Sequence, residues 1–269
     1  MVSPEAPSPA PPPSETAAGI DPADLIAGLG RGLAVIESFD DEHARMTVAQ
    51  VSARTAIPRS AARRYLLSLV HFGYADTDGK HFWLAPRVLR LSQSYLDGSR
   101  LPRLVQPFIQ RLSATTGETV NVSVLDGHEV VYVARSNSPR VVSIGFHAGA
   151  RVPAHVVSPG WVLVAAMEPG PAAEWVARHD FGRFTASTVV DREGFLEQLA
   201  VARRQGYWVS VGALDAGLSG VAIALRDRHG DCKAALGMTL QTAHWPLPAI
   251  TERLLTPLLE TAQVLRGIL

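Results

Sequence analysis

The amino-acid sequence predicts an α+β fold in two domains, a small helical domain followed by a larger mixed one. Residues 25–72 carry apolar side chains at helical spacing, and two short strand-like pieces follow them. Beyond residue 101, runs of β-branched residues alternate with amphipathic helical segments. Apolar residues make up 47% of the 269 and charged residues 19%, a composition that can fill two cores.

Residues 1–24 are rich in Pro, Ala and Ser, and such a segment buries too little apolar surface to fold, so we expect a disordered tail. Neither a basic leader with an apolar core nor a run of eighteen apolar residues occurs, so we expect a cytoplasmic protein without a membrane partner. A single cysteine, Cys232, argues against a disulfide framework and a cysteine-based zinc site. We expect no metal and no cofactor, since histidine pairs at metal-binding spacing and glycine-rich phosphate loops are lacking.

The charge is unevenly distributed along a chain whose formal net charge is zero. Residues 31–100 carry ten Arg and Lys against seven Asp and Glu, an excess of three positive charges. Residues 101–269 carry fifteen against fourteen. A surface that faces phosphates is therefore to be sought in the N-terminal segment, although an excess of this size does not decide the matter.

The N-terminal domain, predicted for residues 25–85, begins with three helices. The apolar residues of the first helix share one face and are Leu29, Leu33, Val35, Ile36 and Phe39. Thr47 is the predicted N-cap of a second helix, Val48–Thr55, and a third helix spans Pro58–Phe72. Two strands follow, Tyr74–Ala75 and His81–Leu84, joined by the turn residues 76–79. Three helices and a hairpin in this order are typical of a winged helix-turn-helix.

The third helix indicates DNA binding, because a helix fits the major groove and its N-terminal residues reach the base edges. The residues that we expect to contact DNA are Arg59, Ser60, Arg63 and Arg64 on this helix, Thr47 before the second helix, and Lys80 and His81 in the wing. An ordinary solvated helix face followed by a hairpin would show the same pattern, so the residues alone leave that alternative open.

A connecting helix is predicted for residues 86–100, and its apolar face could pair with a second subunit. The C-terminal domain, residues 101–269, is predicted as an antiparallel sheet flanked by helices. Its expected helices are Pro102–Thr116, two or more within 158–205, and Leu247–Leu269. Its expected strands are Thr119–Leu125, Val130–Arg135, Arg140–Phe146, Trp208–Val211, Val221–Leu225 and Ala234–Leu240.

Short segments in a fixed order resemble the IclR family of transcriptional regulators over nearly the whole chain from Arg31. They are RGLAVIE at 31–37, IPRS running into RRYLL at 57–67, FWL leading into PRVLRL at 82–91, GETV at 117–120, VVYVAR at 130–135 and GARVPAH at 149–155. Each segment is unspecific alone, and their order and spacing make the resemblance strong. Arg63-Arg64 and residues 132–135 look closest to regulators of the protocatechuate and β-ketoadipate pathway.

The resemblance implies a winged helix-turn-helix joined to a GAF-like effector domain, and a homodimer or tetramer on palindromic operator DNA. It implies a small organic acid, aromatic in the subgroup named above, as effector of a catabolic operon. The effector-binding positions that it implies are Arg135, His155, Ser158, Pro159, Gly160, Trp161, Ser210, Gly220, Gly237 and Thr239.

This chain departs from the family pattern at two places expected near the pocket. Trp161 follows Gly160 where the family usually has a basic residue, and Ala213 lies in a stretch that usually carries an acid. A pocket that loses a carboxylate repels anions less, and an indole offers a stacking wall. We therefore expect a ligand different from the usual ones, such as a larger aromatic acid, with a site that no longer responds to any ligand as the alternative.

Enzyme-like arrangements are weak in this sequence. The stretch Ser158-Pro159-Gly160 lacks the neighbours of a nucleophile elbow, and the histidines are scattered. We therefore expect a regulator and not an enzyme. A winged helix that binds protein and is fused to a small-molecule enzyme remains the alternative. Whether the regulator activates or represses depends on operator position, which the sequence does not contain.

Overall fold

The computed structural model describes residues 20–136 and 146–269, without the side chains of Pro22, Leu96 and Asp97. The chain divides into two compact units, and the boundary lies between Tyr95 and Leu96. Of the predicted tail, residues 1–19 lie outside the described part, whereas Pro22–Asp24 form a short 3-10 helix. No described helix has both the length and the apolar character needed to cross a membrane.

The N-terminal unit contains three helices and a small sheet. Its helices are α1 (Ala27–Glu37), α2 (Val48–Thr55) and α3 (Arg59–His71), and its strands are β1 (Met46–Thr47), β2 (Ala75–Thr77) and β3 (His81–Leu84). The strands pair antiparallel in the order β1-β3-β2. This is the predicted winged helix-turn-helix arrangement. The strand β1 was not predicted, because two residues carry no period-2 signal.

The core of this unit is made by residues from all three helices and from the sheet. Val35 of α1, Val51 of α2, Leu66 of α3 and Met46 of β1 are fully buried. The prediction that α1 buries a continuous apolar face is wrong for its first half, since Leu29 and Leu33 are exposed. Only its later turns reach the core, because α2 and α3 pack against that end.

Local signals explain where α2 and α3 begin. Thr47 caps α2 as predicted: its hydroxyl accepts from the backbone N–H of Gln50 at 3.4 Å, while the Gln50 side chain accepts from the backbone N–H of Thr47 at 2.9 Å. Ala56 ends α2 in the left-handed region, with φ of 55°. Pro58 then stands just before the first residue of α3, where a missing N–H costs nothing.

Among the described residues, the C-terminal unit contains a six-stranded sheet with helices on both of its faces. Its helices are α4 (Leu89–Gly98), which crosses the unit boundary, α5 (Arg100–Thr116), α6 (Ser158–Ala165), α7 (Pro169–Arg178), α8 (Arg192–Gln205) and α9 (Leu247–Arg266). Its strands are β4 (Thr119–Asp126), β5 (Glu129–Ser136), β6 (Arg151–Pro153), β7 (Tyr207–Val211), β8 (Leu218–Arg226) and β9 (Cys232–Gln241). All neighbouring pairs are antiparallel, in the order β6-β5-β4-β9-β8-β7.

The two faces of the sheet have separate cores. On one face α5 and α9 pack against strand side chains such as Val122, Ile223 and Leu236. On the other face α6, α7 and α8 pack against small residues, among them Ala222 and Ala235. Small side chains let α6 approach the sheet closely, and all eight of its residues are buried. The second face carries the cavity described below.

Two differences from the predicted strands have simple causes. The strand β6 was missed because it has three residues and is read from its pairing with β5, not from any periodicity of its own. The predicted strand Arg140–Phe146 lies outside the described residues except for Phe146, which is not in a strand. The remaining predicted strands are present, each within a few residues of its predicted bounds.

Candidate DNA interface and ligand cavity

One face of α3 is exposed and basic. Its exposed polar residues near the start of the helix are Arg59, Ser60, Arg63 and Arg64. On the opposite face Ala62 and Leu66 are fully buried and hold the helix in the core. Among the described residues we find no ion pair to any of the three guanidinium groups. The helix therefore presents three positive charges at the end that a recognition helix directs to DNA.

The wing between β2 and β3 is built around Asp78. Its carboxylate accepts from the backbone N–H groups of Lys80 at 2.9 Å and of His81 at 2.6 Å. These hydrogen bonds lower the pKa of Asp78 to about 2. The His81 ring also lies 3.3 Å from this carboxylate, and Arg45 pairs with it at 3.1 Å. Lys80 is exposed at the tip, so it is the wing residue best placed to meet a phosphate.

A cavity of about 430 Å³, its open mouth included, lies on the sheet face that α6 covers. Six of the predicted effector-binding positions line it, namely Ser158, Pro159, Ser210, Gly220, Gly237 and Thr239. The other lining residues, most of which the sequence did not indicate, are Asn121, Tyr132, Phe146, Val156, Val157, Ala213, Leu214, Leu218, Ser219 and Met238. None of these described lining residues carries a formal charge.

Buried polar groups in this cavity lack partners among the described residues. Asn121 donates from Nδ2 to the Thr239 hydroxyl at 2.9 Å, but its Oδ1 accepts no hydrogen bond. The hydroxyl of Ser210 also has no hydrogen-bond partner among the described residues, and the residue is only 9% exposed. A buried polar atom without a partner costs about 1–3 kcal/mol, and such atoms point to a missing ligand or water. Asn121 was detectable in the sequence as the one amide in an otherwise apolar and hydroxylic strand.

Two aromatic residues, Tyr132 and Phe146, stand among the mostly aliphatic apolar residues that line the cavity. The Tyr132 and Phe146 rings are stacked, with centroids 5.1 Å apart and planes 25° apart. Burial raises the pKa of Tyr132, so its phenol stays neutral. Aromatic rings prefer stacked or edge contacts with other rings, so this pair favours an aromatic ligand.

The helix α6 begins at the cavity with Ser158 and Pro159. A helix N-terminus carries a partial positive charge, which favours an anion beside it. Glycines make room there: a Cβ on Gly220 would lie 2.9 Å from the Ser158 Oγ, and one on Gly237 would lie 3.0 Å from the Val221 carbonyl oxygen. Ala213 also lines the cavity, as the comparison with the family pattern implied.

Two of the predicted effector contacts are instead packing residues. Gly160 faces the backbone of Ala154, and a Cβ there would lie 2.0 Å from its carbonyl oxygen. Trp161 is 2% exposed, stacks on Trp208 at 4.5 Å and donates from Nε1 to the His155 carbonyl oxygen at 2.9 Å. Trp161 is therefore not among the described residues that line this cavity, because its indole occupies the core beneath the cavity wall.

Arg135 and His155 stand beside the cavity without lining it. Arg135 is the register partner of Asn121 across β4 and β5, so its side chain leaves the same face of the sheet. Burial lowers the pKa of Arg135. His155 is 1% exposed and bonds to the Gly182 carbonyl oxygen at 2.9 Å. It precedes the lining residues Val156 and Val157 in the chain.

Comparison with known proteins gives curated relatives over most of the chain. The chain is 41% identical over 250 residues to the p-hydroxybenzoate hydroxylase transcriptional activator of Acinetobacter baylyi, which covers 91% of this chain and 92% of that protein. It is 34% identical to the Pca operon regulatory protein of the same organism, over 91% of this chain and 90% of that protein. These relatives confirm the predicted subgroup.

Two solved structures are similar as well. The inducer-binding domain of PobR from Acinetobacter, a double mutant in complex with 3-hydroxybenzoic acid, has a TM-score of 0.60 and 34% identity and covers 64% of this chain and 100% of that one. An IclR homologue from Microbacterium hydrocarbonoxydans, complexed with 4-hydroxybenzoate, has a TM-score of 0.70 and 27% identity and covers 88% of this chain and 96% of that one.

Family assignment agrees with the two units of the fold. The IclR helix-turn-helix domain matches residues 28–79, and the family described as bacterial transcriptional regulator IclR C-terminal matches residues 93–266. Members of this family are transcriptional regulators and not enzymes, which confirms the expectation of a non-catalytic protein. The chain belongs to the IclR family and is a DNA-binding transcriptional regulator.

Proposed function

We propose that this regulator binds a monocyclic hydroxybenzoate in the cavity beside α6 and controls genes for the breakdown of such acids. The single observation that carries the proposal is the lining of the cavity. It combines the stacked pair Tyr132 and Phe146 with the unpartnered polar atoms of Asn121 and Ser210. The ring of an aromatic acid can stack on Tyr132 and Phe146, and a second polar substituent on it can form hydrogen bonds with Asn121 and Ser210. The named ligands of the two similar structures support the same class.

The carboxylate of such a ligand needs positive charge, and two features can supply it. The N-terminus of α6 opens onto the cavity at Ser158. Arg135 leaves the same sheet face as Asn121, and its guanidinium has the fork geometry that suits a carboxylate. We assign both to recognition of the carboxylate.

For DNA, we propose that the exposed face of α3 enters the major groove and that Lys80 in the wing contacts phosphate. Operator sites read by two such helices are palindromic, and this requires a homodimer or a larger assembly. Exposed apolar side chains support self-association. Ile26, just before α1, is 77% exposed, Leu29 on α1 is 64% exposed, and Leu89 on α4 is 69% exposed. Because bacterial DNA is cytoplasmic, we place the action of the regulator there.

Calorimetric titration of the full-length protein tests the ligand class. We expect binding of 4-hydroxybenzoate, much weaker binding of 4-hydroxybenzamide, which lacks the carboxylate, and none of adipate, which lacks the ring. Ala213→Phe fills the cavity and should abolish binding. Ala216→Phe is the matched control, because Ala216 is exposed and does not line the cavity. Binding of adipate without any aromatic acid would contradict the proposal, and binding of no acid would favour a regulator that does not respond to such ligands.

A further inference from the structure

Three histidines from distant parts of the chain form a hydrogen-bonded row beside the cavity. His128 lies in the turn between β4 and β5, His155 in the 3-10 helix before α6, and His179 at the end of α7. The His179 ring joins the other two: its Nδ1 is 3.2 Å from the His128 Nδ1, and its Nε2 is 2.7 Å from the His155 Nδ1. We call these three residues the histidine relay.

The Gly182 carbonyl oxygen, at the His155 end of the relay, determines which ring nitrogen of each histidine carries the proton. The Gly182 carbonyl oxygen can only accept, so the His155 Nε2, 2.9 Å away, carries a proton and donates. In a neutral ring the His155 Nδ1 then accepts from the His179 Nε2. The His179 Nδ1 in turn accepts from the His128 Nδ1. A single set of tautomers therefore satisfies all three contacts, and in that set every ring is neutral.

Aromatic side chains pack against the relay and limit its contact with water, although His128 is only half-buried and His179 lines a crevice. Trp175 stacks on His179, with centroids 4.3 Å apart and planes 16° apart, and donates from Nε1 to the Gly127 carbonyl oxygen at 2.8 Å. Phe181 lies edge-on to His179 at 4.7 Å. Burial, together with the other two histidines, lowers the pKa of His179 to about 3. Burial also lowers the pKa of His128 and of His155.

The charged groups around the relay do not outweigh the effect of its burial on the histidine pKa values. Arg178 lowers the pKa of His128, and Asp180 raises that of His155 by less than burial lowers it. On the neighbouring strands, Arg151 pairs with both Asp126 and Glu129. Three further charged residues, Asp191, Arg192 and Glu193, line the crevice beside His179. An added proton on the His155 Nδ1 or the His179 Nδ1 would turn an acceptor into a second donor, and the row could keep its hydrogen bonds only if His128 moved its own proton from Nδ1 to Nε2.

Two segments of the chain connect the relay to the wall of the cavity. His155 is followed directly by Val156 and Val157, which line one side of the cavity. The other segment is the loop after α7, to which Gly182 belongs. In that loop Thr185 donates from Oγ1 to the Gly212 carbonyl oxygen at 2.6 Å, and Thr188 donates to the Ala213 carbonyl oxygen at 2.7 Å. Ala213 lines the cavity as well. The relay thus ties together two segments of the wall that are far apart in sequence.

We propose that the neutral histidine relay holds these two wall segments in register, so that His179 is a positioning residue for effector binding and acid weakens the site. The inference rests on the proposed function, because the cavity must be the effector site. When the relay opens, a freed histidine regains an ordinary pKa near 6.5 and takes up a proton. At pH 5.5 this favours the open form by about tenfold for one histidine.

The test compares the wild-type full-length protein with His179→Gln, whose amide can donate and accept but does not titrate in this range. We expect the Kd for 4-hydroxybenzoate to rise up to about tenfold between pH 7.5 and pH 5.5 in the wild type. In H179Q we expect a Kd above the wild-type value already at pH 7.5, because the shorter amide cannot span both contacts, and a change of less than about twofold between pH 7.5 and pH 5.5. His244→Gln, at an exposed position outside the relay, should keep the wild-type pH profile. Equal pH profiles of the wild type and H179Q would overturn the proposal.

Imidazole nitrogen shifts give a readout that needs no ligand. We expect the Nδ1–H tautomer for His128 and the Nε2–H tautomer for His155 and His179, all neutral at pH 7.5. His128→Gln removes only the half-buried end of the relay, so it serves where H179Q does not fold. If the wild type fails to bind the acid while these tautomers are found, the proposed ligand is wrong and the relay stands. Other tautomers, or a charged ring at pH 7.5, overturn the relay itself.

Discussion

The side-chain amide of Asn121 donates to the hydroxyl of Thr239 at 2.9 Å, across the neighbouring strands β4 and β9, while its own carbonyl oxygen has no partner in the part of the chain that the structure describes. This arrangement holds one acceptor in a fixed direction beside the stacked rings of Tyr132 and Phe146. A protein selected for stability alone would fill such a position with an apolar side chain. An unsatisfied buried acceptor is instead typical of a site that is completed by its ligand.

The first prediction is that Asn121→Leu changes stability and ligand affinity in opposite directions. Removing a buried, half-satisfied amide should leave the free energy of unfolding unchanged or raise it by up to about 1 kcal/mol. Loss of the hydrogen bond to the ligand should weaken binding of 4-hydroxybenzoate by about tenfold or more. Urea unfolding and calorimetric titration measure the two quantities.

The matched control for this prediction is Thr119→Val on the same strand. The Thr119 hydroxyl is also buried without a described partner, but Thr119 does not line the cavity. We expect a similar gain in stability with unchanged affinity. If Thr119→Val weakened binding as much as Asn121→Leu, the acceptor of Asn121 would have no special role.

The second prediction concerns DNA. Arg63→Ala removes one charge from the exposed face of α3 and should weaken binding to the intergenic DNA beside the gene of this regulator. It should also reduce the slope of log K against log salt by about one, as expected when one phosphate contact is lost. Fluorescence anisotropy at several salt concentrations measures both.

Arg204→Ala is the charge-matched control, because Arg204 is an exposed arginine at the end of α8, in the other unit. It changes the net charge equally and should leave affinity and slope near the wild-type values. Equal losses in the two variants would mean that net charge, and not the position on α3, drives the binding.

Much of the fold was predictable because the signals were local. The N-cap Thr47 and the apolar spacing of α2 and α3 are read within a single turn or two of helix, and they predicted those helices to within two residues. The strand β1 of two residues and β6 of three depend on partners distant in the chain. No local period distinguishes such strands from loops.

The candidate site was predictable only in part, for a related reason. The helix α6 is buried on every side, so its sequence has no amphipathic pattern that tells which residues face the cavity. Pro159 lines the cavity while Trp161 packs into the core, and nothing in the sequence separates the two. The histidine relay joins positions that are 51 and 24 residues apart, and its contacts exist only after folding.

The third prediction follows from the close approach of α6 to the segment before it. Gly160→Ala places a Cβ 2.0 Å from the Ala154 carbonyl oxygen, so the backbone must move and the protein should lose about 3 kcal/mol or more of unfolding free energy. Gly170→Ala in the first turn of α7 is the control, since no atom lies within 4 Å of the added carbon. That variant should be neutral or slightly more stable, by up to about 1 kcal/mol. Thermal unfolding of the two variants shows whether the stability change at Gly160 comes from close packing or from helix propensity alone.

The fourth prediction is an acid dependence of stability that arises from His179. Its pKa in the folded protein is lowered to about 3 by burial and by its histidine neighbours, whereas the unfolded chain has the ordinary value of 6.5. The unfolded state therefore binds the extra proton as the pH falls below 6.5, and the stabilisation present above that pH is lost progressively toward pH 3. Between pH 7 and pH 5 this group should cost about 2 kcal/mol of unfolding free energy. H179Q should lack this part of the loss, while the exposed-site variant H244Q should retain it. Denaturant unfolding at a series of pH values measures the difference, and identical slopes in all three proteins would show that His179 takes up its proton in the folded state as easily as in the unfolded one.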